Sequence, residues 1–214
     1  MSSSYGHTHD VFGRLIQKSD QVFEYKPRPV KFDTPNMQRK AAMMSSARQD
    51  WQTPLWLYNK LCQERGLVEG YDTDPATAPE NPLGCKTFYT AEDDGLTKDW
   101  PGNVFINPPF GWGYYKGQWT YITGLWIKEA WYRVFSDMFA HQNTKHVTMI
   151  IPAAVSTKAY HKYIWDYENA RARPGVRVNF YPKRIKFKGS KMVAPFSTLI
   201  LDFSKDKRYA IKER

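Results

Sequence analysis

The chain has 214 residues, of which 42% are hydrophobic and 16% aromatic, which suits one globular domain with a packed core and an additional tail. Its formal net charge of +10 favours a polyanionic partner such as nucleic acid, because basic side chains that neutralise phosphates release counterions. The sequence has no apolar run of about 18 residues that could span a bilayer, no secretory signal, and no metal-ligand spacing among its histidines and cysteines. We therefore expect a soluble protein without a metal.

The N-terminal segment and the first helix differ sharply in pattern. Residues 1–48 are polar and basic without a sustained apolar period, which predicts a flexible or extended arm, so the folded domain is expected over 49–214.

Thr53 is expected to cap a helix that starts at Pro54 and ends near Gly66. Five residues give this helix an apolar side: Leu55, Leu57, Tyr58, Leu61 and Cys62.

The rest of the chain alternates between apolar runs of strand length and amphipathic helices. Strands are predicted at 68–73, 104–106, 146–151, 176–181, 184–187 and 198–203, with helices over 125–139 and 158–165 and a hairpin near Pro182 and Lys183. This alternation predicts an α/β fold, a mixed sheet with helices on both faces. In such open sheets, ligands bind outside the carboxyl ends of the strands.

The tetrapeptide Asn107-Pro108-Pro109-Phe110 directly follows the apolar run 104–106. Its prolines restrict φ and the residue before each, so they hold the Asn107 side chain and the Pro108 carbonyl in a rigid turn. Two oxygens placed in this way can accept both hydrogens of an amino group on a planar ring, and Phe110 offers that ring a stacking face. The pattern indicates methyl transfer to an amino nitrogen, although proline turns after strands also occur in unrelated proteins.

An ordered set of motifs surrounds this tetrapeptide over residues 50–203 and resembles the phage-type DNA N6-adenine methyltransferase (Dam) family. The motifs are Asp50-Trp51-Gln52-Thr53-Pro54, Tyr71-Asp72-Thr73-Asp74-Pro75-Ala76, Asp93-Asp94-Gly95-Leu96, Asn107-Pro108-Pro109-Phe110, Ile150-Ile151-Pro152-Ala153, Arg184-Ile185-Lys186-Phe187 and Ala194-Pro195-Phe196. The resemblance implies a Rossmann-like fold that uses S-adenosyl-L-methionine and flips an adenine out of double-stranded DNA. It also implies the cytoplasm of a bacterial or phage-infected cell as the location.

The resemblance also implies roles for individual residues. The catalytic set is Asn107, Pro108, Pro109 and Phe110, and the cofactor set is Gln52, Thr53, Pro54, Asp72, Asp74, Pro75 and Asp94. The segment around Asp74 lacks the glycine-rich turn that lets a backbone approach a cofactor closely. The choice between Asp72 and Asp74 therefore stays open, with Asp74 preferred; a turn-capping aspartate is the alternative.

A basic cluster late in the chain predicts the DNA-binding surface. It comprises Lys183, Arg184, Lys186, Phe187 and Lys188. A solvated hairpin would explain the lysines equally well, and Phe187 is either a second stacking face or a core residue. Residues 111–119 form a connection longer than is usual in the family, and we expect a lid or a DNA-contacting loop there.

Several alternative functions share these features. Cytosine N4, RNA adenine or protein glutamine would present the same planar amino group to Asn107. A noncatalytic nucleic-acid-binding protein with a degenerate methyltransferase fold would explain the missing glycine-rich turn. The sequence carries no signal for the oligomeric state.

Overall fold

The computed structural model of the protein describes residues 51–206, so the arm expected over 1–48 lies outside the described part. Within this range the elements are, in chain order, α1 (Leu55–Glu64), β1 (Thr73–Asp74), β2 (Thr87–Phe88), β3 (Gly102–Ile106), β4 (Trp112–Tyr115), β5 (Gln118–Tyr121), α2 (Ile122–Phe135), β6 (Thr144–Pro152), α3 (Lys158–Tyr163), β7 (Trp165–Asp166), β8 (Arg171–Ala172), β9 (Val176–Phe180) and β10 (Thr198–Ser204). None of the helices in this range is long and apolar enough to cross a bilayer.

Six strands form one mixed sheet in the order β2-β1-β3-β6-β10-β9. Strand β1 pairs in parallel with β2 and β3, and β3 pairs in parallel with β6. Strand β10 runs antiparallel to both of its neighbours, β6 and β9. The prediction of an α/β fold with a mixed sheet is confirmed, and this architecture is compatible with a methyltransferase fold.

Helices cover both faces of the sheet, as predicted. Because side chains alternate along a strand, Leu199 and Leu201 of β10 pack in a core cluster with α2 and α3, whereas Ile200 packs in a second cluster with α1. Phe105 in β3 is fully buried in the α1 cluster, and its neighbour Ile106 is fully buried in the α2 cluster. The two clusters fix β3 between them, and β3 leads into the tetrapeptide.

A buried polar network joins the end of α1 to the sheet. Nε and Nη2 of Arg65 each donate to the carboxylate of Asp202 at 2.7 Å, and Thr148 Oγ1 donates to it at 2.8 Å. Tyr71 donates in turn to Thr148 at 2.9 Å. Burial alone would raise the pKa of Asp202, but hydrogen bonding from His146 and the charge of Arg65 lower it to about 2. This network locks α1, β6 and β10 together.

Three local predictions are wrong in their details. The first strand is only Thr73–Asp74, and Val68, at the start of the predicted strand, is completely exposed. Pro54 is the N-cap of α1, with no side-chain capping bond, so Thr53 is not the cap. Helix α2 ends at Phe135, because Ser136 has an extended backbone conformation. The Ser136 hydroxyl accepts a hydrogen bond from the Met138 amide and so caps the short helical turn that follows.

The predicted strand over 184–187 and its hairpin are also wrong. Ile185 and Phe187 are buried, as strand alternation would place them, and Lys186 is exposed. The segment nevertheless joins no strand of the described sheets, because its backbone bonds to a neighbouring loop: the Ile185 carbonyl accepts from the Ala194 amide at 2.8 Å. Directly after the segment, Lys188 forms a backbone bridge with Gln52.

Candidate active site

The tetrapeptide and Asp74 lie at the same edge of the sheet. Strands β1 and β3 are parallel, with Thr73 opposite Val104, so Asp74 and Asn107 both lie toward the carboxyl ends of neighbouring strands. This is the edge where open α/β sheets bind ligands. The topology places both motifs at one edge of the sheet, and a crevice that they share stays a prediction.

The side-chain amide of Asn107 has one fixed orientation. Its Nδ2 donates to the backbone carbonyl of Trp51 at 2.6 Å. Because a carbonyl can only accept, this contact determines which end of the amide carries the oxygen. The oxygen Oδ1 is buried and has no hydrogen-bond partner among residues 51–206. A buried acceptor without a donor costs about 1–3 kcal/mol, which an incoming N–H would recover.

The turn that carries Asn107 is clamped by the start of α2. Thr123, fully buried in the first turn of α2, accepts from the Gly111 amide at 2.9 Å and donates to the Pro109 carbonyl at 3.3 Å. The Ile122 amide donates to the Gly111 carbonyl at 2.9 Å. These bonds add to the restriction that Pro108 and Pro109 impose, so the turn is rigid from both ends.

Four aromatic rings gather beside Asn107. Trp51 stacks between Phe187 and Phe196, with 5.3 Å between ring centroids on each side. Phe110 meets all three rings edge to face, at 5.5–6.3 Å. Phe187 is only 2% exposed, which places it inside this cluster rather than on the surface.

Sequence reasoning did not single out Trp51 and Phe196, although both stand in the motifs that carried the family resemblance. Trp51 and Asn107 are 56 residues apart in the chain, and the hydrogen bond between them exists only in the folded protein. Stacking of the Trp51 ring holds its carbonyl in place, so Trp51 positions Asn107.

Asp74 is a buried carboxyl without a basic partner among residues 51–206. It is 3% exposed, and its Oδ1 accepts from the Ala76 amide at 3.1 Å. Burial raises the pKa of Asp74 to about 7, and hydrogen bonds from Ala76 and Thr77 offset this only in part. A cationic ligand beside the carboxylate would lower the pKa of Asp74 again.

Asp72 and Asp94 are already engaged. Asp72 accepts from the backbone and side-chain nitrogens of Asn103 at 2.8 and 3.2 Å, near the amino end of β3 and away from Asn107. Asp94 accepts from the Tyr115 hydroxyl at 3.1 Å. A Cβ at Gly95 would overlap the carbonyl of Pro75, so glycine lets the loop of Asp94 close onto the end of β1.

The segment before α1 brings a second unpaired oxygen to this region. The hydroxyl of Thr53 is buried and has no partner among the described residues, and Pro54 follows it as the N-cap of α1. The Gln52 carbonyl accepts from the Lys188 amide at 2.9 Å, which ties this segment to the basic cluster. A third buried oxygen without a described partner is the hydroxyl of Thr198, on the α1 face of β10.

The basic cluster lies next to the aromatic one. Its charged members are exposed: Lys183, Arg184, Lys186 and Lys188. Phe187 points inward to stack on Trp51, and the backbone of Lys188 pairs with Gln52. The chain therefore presents positive charge beside the rings that surround Asn107.

Comparison with known proteins gives one match. The profile of the DNA N-6-adenine-methyltransferase (Dam) family matches residues 40–210. No curated protein and no solved structure matches the chain significantly. The matched range contains every site residue described above and begins before residue 49, where the sequence predicted the domain boundary.

Proposed function

The chain belongs to the DNA N-6-adenine-methyltransferase (Dam) family, and we propose that it transfers a methyl group from S-adenosyl-L-methionine to the N6 amino group of adenine in double-stranded DNA. The observation that carries this proposal is the orientation of Asn107, whose buried Oδ1 lacks a donor while its Nδ2 is held by Trp51. An exocyclic amino group supplies the missing donor.

In the proposed mechanism, Asn107 Oδ1 and the Pro108 carbonyl each accept one hydrogen of the adenine amino group. These two bonds direct the nitrogen lone pair away from the protein, so the site needs no strong base. When bound, S-adenosyl-L-methionine would supply an electrophilic methyl group on a sulfonium. Transfer would form the N–C bond as the S–C bond breaks, leaving S-adenosylhomocysteine as a neutral thioether, and the methylated nitrogen then loses one proton to solvent. The rigid turn supports the rate by positioning.

The residues present fit this cofactor. The unpaired hydroxyl of Thr53 and the N-terminus of α1 suit the carboxylate of its methionine part. Asp74, which is buried and has no basic partner in the described part of the chain, suits a cationic or hydroxyl group. Asp94 remains our candidate for contact with the adenosine part of the cofactor. Asp72 has a structural role instead, because its carboxylate accepts from Asn103 and so links the start of β1 to β3. We propose a Rossmann-like cofactor site on this basis.

The target adenine is proposed to leave the duplex and stack on Phe110. Unstacking costs roughly a few kcal/mol, which aromatic contacts and the two amino hydrogen bonds repay. The exposed basic side chains are proposed to hold the phosphates beside the aromatic cluster: Lys183, Arg184, Lys186 and Lys188. Replacing these four residues by alanine should weaken DNA binding and flatten its dependence on salt, because fewer phosphates are neutralised.

The decisive experiment is transfer of labelled methyl groups to duplex DNA, followed by nucleoside analysis. We expect N6-methyladenine from the wild-type chain, formed at least about 100-fold more slowly by Asn107→Ala. Label recovered as N4-methylcytosine, in RNA or in protein would reassign the substrate. DNA binding without cofactor binding in calorimetry would instead establish a noncatalytic protein with a degenerate fold.

A further inference from the structure

Strands β4 and β5 form a separate two-stranded hairpin directly after Phe110. Its turn, Lys116-Gly117, has φ of +49° and +79°, as tight hairpin turns require. Trp112 pairs with Tyr121 and Tyr114 pairs with Trp119. Since side chains alternate along a strand and paired residues share a side, all four aromatic rings lie on one side of the hairpin. We call these four residues the aromatic face.

The aromatic face is open to solvent. Exposed fractions are 51% for Trp112, 76% for Tyr114 and 54% for Trp119, whereas Tyr121 at the base is partly buried. The rings pair across the strands, at 5.0 Å between the centroids of Tyr114 and Trp119 and 5.8 Å between those of Trp112 and Tyr121. A contiguous exposed patch of this kind marks an interaction site.

The hairpin is fixed to the candidate active site on its other side. Gly113 is buried, and Tyr115 packs against the α2 cluster and donates to Asp94. At the base, the Gly111 backbone is bonded to Thr123. Because the opposite side of the hairpin and its base are both held, the aromatic face has a set position next to the turn that carries Asn107.

Three features favour nucleobases as the occupant of the aromatic face. All four members are Trp or Tyr, whose flat rings stack on any base, and none is aliphatic. Lys116 lies at the tip of the hairpin in a chain of net charge +10. Four residues are also far fewer than the roughly 20–30 per side of a standard protein interface, which argues against a second copy of the chain.

We propose that the aromatic face is a stacking platform for unpaired bases of the DNA strand beside the flipped target. This inference rests on the proposed function, because the position of the platform is argued from a base bound at Asn107. Stacking neutralises no phosphate, so the platform contributes affinity for unpaired bases without a change in salt dependence.

Three variants test the platform. The alanine variant replaces Trp112, Tyr114 and Trp119; the phenylalanine variant replaces the same residues and keeps flat rings; Tyr167→Ala is the matched control, because Tyr167 is 80% exposed on the β7–β8 connection. Affinities are measured by fluorescence anisotropy, without cofactor, for a single-stranded DNA oligonucleotide and for the fully paired duplex. All three substituted rings are exposed, and circular dichroism verifies that each variant is folded.

We expect the alanine variant to bind the single strand at least about tenfold more weakly, with an unchanged salt slope and a smaller loss on the duplex. The phenylalanine variant should restore binding, and the control should match the wild type. Wild-type affinity in the alanine variant would overturn the proposal. So would a changed sedimentation coefficient in that variant, which would assign the aromatic face to a second copy.

Methyl transfer to duplex DNA, measured on the same proteins, separates the two proposals. If the wild type transfers no methyl group but the alanine variant loses single-strand affinity, the proposed function fails and the platform stands. If methyl transfer is present and the alanine variant binds single strands normally, the platform fails and the proposed function stands.

Discussion

Two buried polar clusters on the α1 side of the sheet differ in how completely their hydrogen bonds are formed. In the first, the Asp202 carboxylate accepts from Arg65 twice and from Thr148. In the second, the Asn107 oxygen and the Thr53 hydroxyl are buried without a described partner. Buried polar groups are nearly always paired, so a saturated cluster indicates a role in stability, and an unsaturated one indicates a place that a ligand completes.

The pKa values of the two buried aspartates follow the same division. Burial would raise both, but the hydrogen bonding from His146 and the charge of Arg65 lower the pKa of Asp202 to about 2. Asp74 has no basic side chain beside it among the residues that the structure describes, and burial raises its pKa to about 7. The carboxyl at the candidate active site is thus held in an unfavourable environment that a cationic ligand would relieve.

Removing one partner from the saturated cluster should give the largest effect. Arg65→Ala leaves the Asp202 charge buried and uncompensated, so we expect a loss of about 3–5 kcal/mol in the free energy of unfolding. The matched control is Lys60→Ala on the same helix, since Lys60 pairs with Glu64 at 3.7 Å with both side chains about half exposed. That change should cost under about 1 kcal/mol. Urea denaturation of both variants would show equal losses if the network were unimportant.

Asp74→Asn should raise stability and lower cofactor affinity together. The folded-state pKa of Asp74, about 7, lies above its ordinary value of 3.8, so the wild type loses stability as the pH rises between these values. The side-chain amide of the variant does not titrate, so the variant keeps its stability over this pH range. At pH 8 it should be more stable than the wild type by up to roughly 4 kcal/mol. Unfolding against pH and cofactor titration by calorimetry measure the two effects. A stability difference that is independent of pH would refute this account.

Asn107→Ala should lower the rate of methyl transfer about 10²–10³-fold, the usual effect of removing one hydrogen-bonding group that acts on the transition state. Cofactor affinity should stay close to that of the wild type. Asn103→Ala is the matched control, because Asn103 lies at the other end of β3 and its side chain bonds only Asp72 in the described structure. Equal activity of the two variants would show that Asn107 does not contact the amino group.

Features set by neighbouring residues could be predicted from the sequence. The rigid turn at Asn107 follows from two adjacent prolines, and β3 follows from its apolar run, so both were predicted correctly. Pairings between distant segments could not be predicted. The 184–187 segment alternates like a strand, but the Ile185 carbonyl bonds to the Ala194 amide and the next residue, Lys188, bonds to Gln52 instead of to a sheet strand. The Trp51 contact with Asn107, which fixes the orientation of the amide, has no signal in either local sequence.

The smallest effect is expected from removing the unpaired hydroxyl of Thr53. Thr53→Val keeps the shape of the side chain and removes a buried hydroxyl that has no described partner, so the ligand-free protein should gain about 1 kcal/mol in stability. Thr73→Val is the matched control, because the Thr73 hydroxyl is equally buried but donates to the Pro101 carbonyl at 2.7 Å. That change should cost about 1 kcal/mol, since it leaves the carbonyl without its donor. Cofactor affinity should fall only in Thr53→Val. If both substitutions destabilise the protein equally and neither alters cofactor binding, the Thr53 hydroxyl is paired in solution and belongs with the saturated cluster.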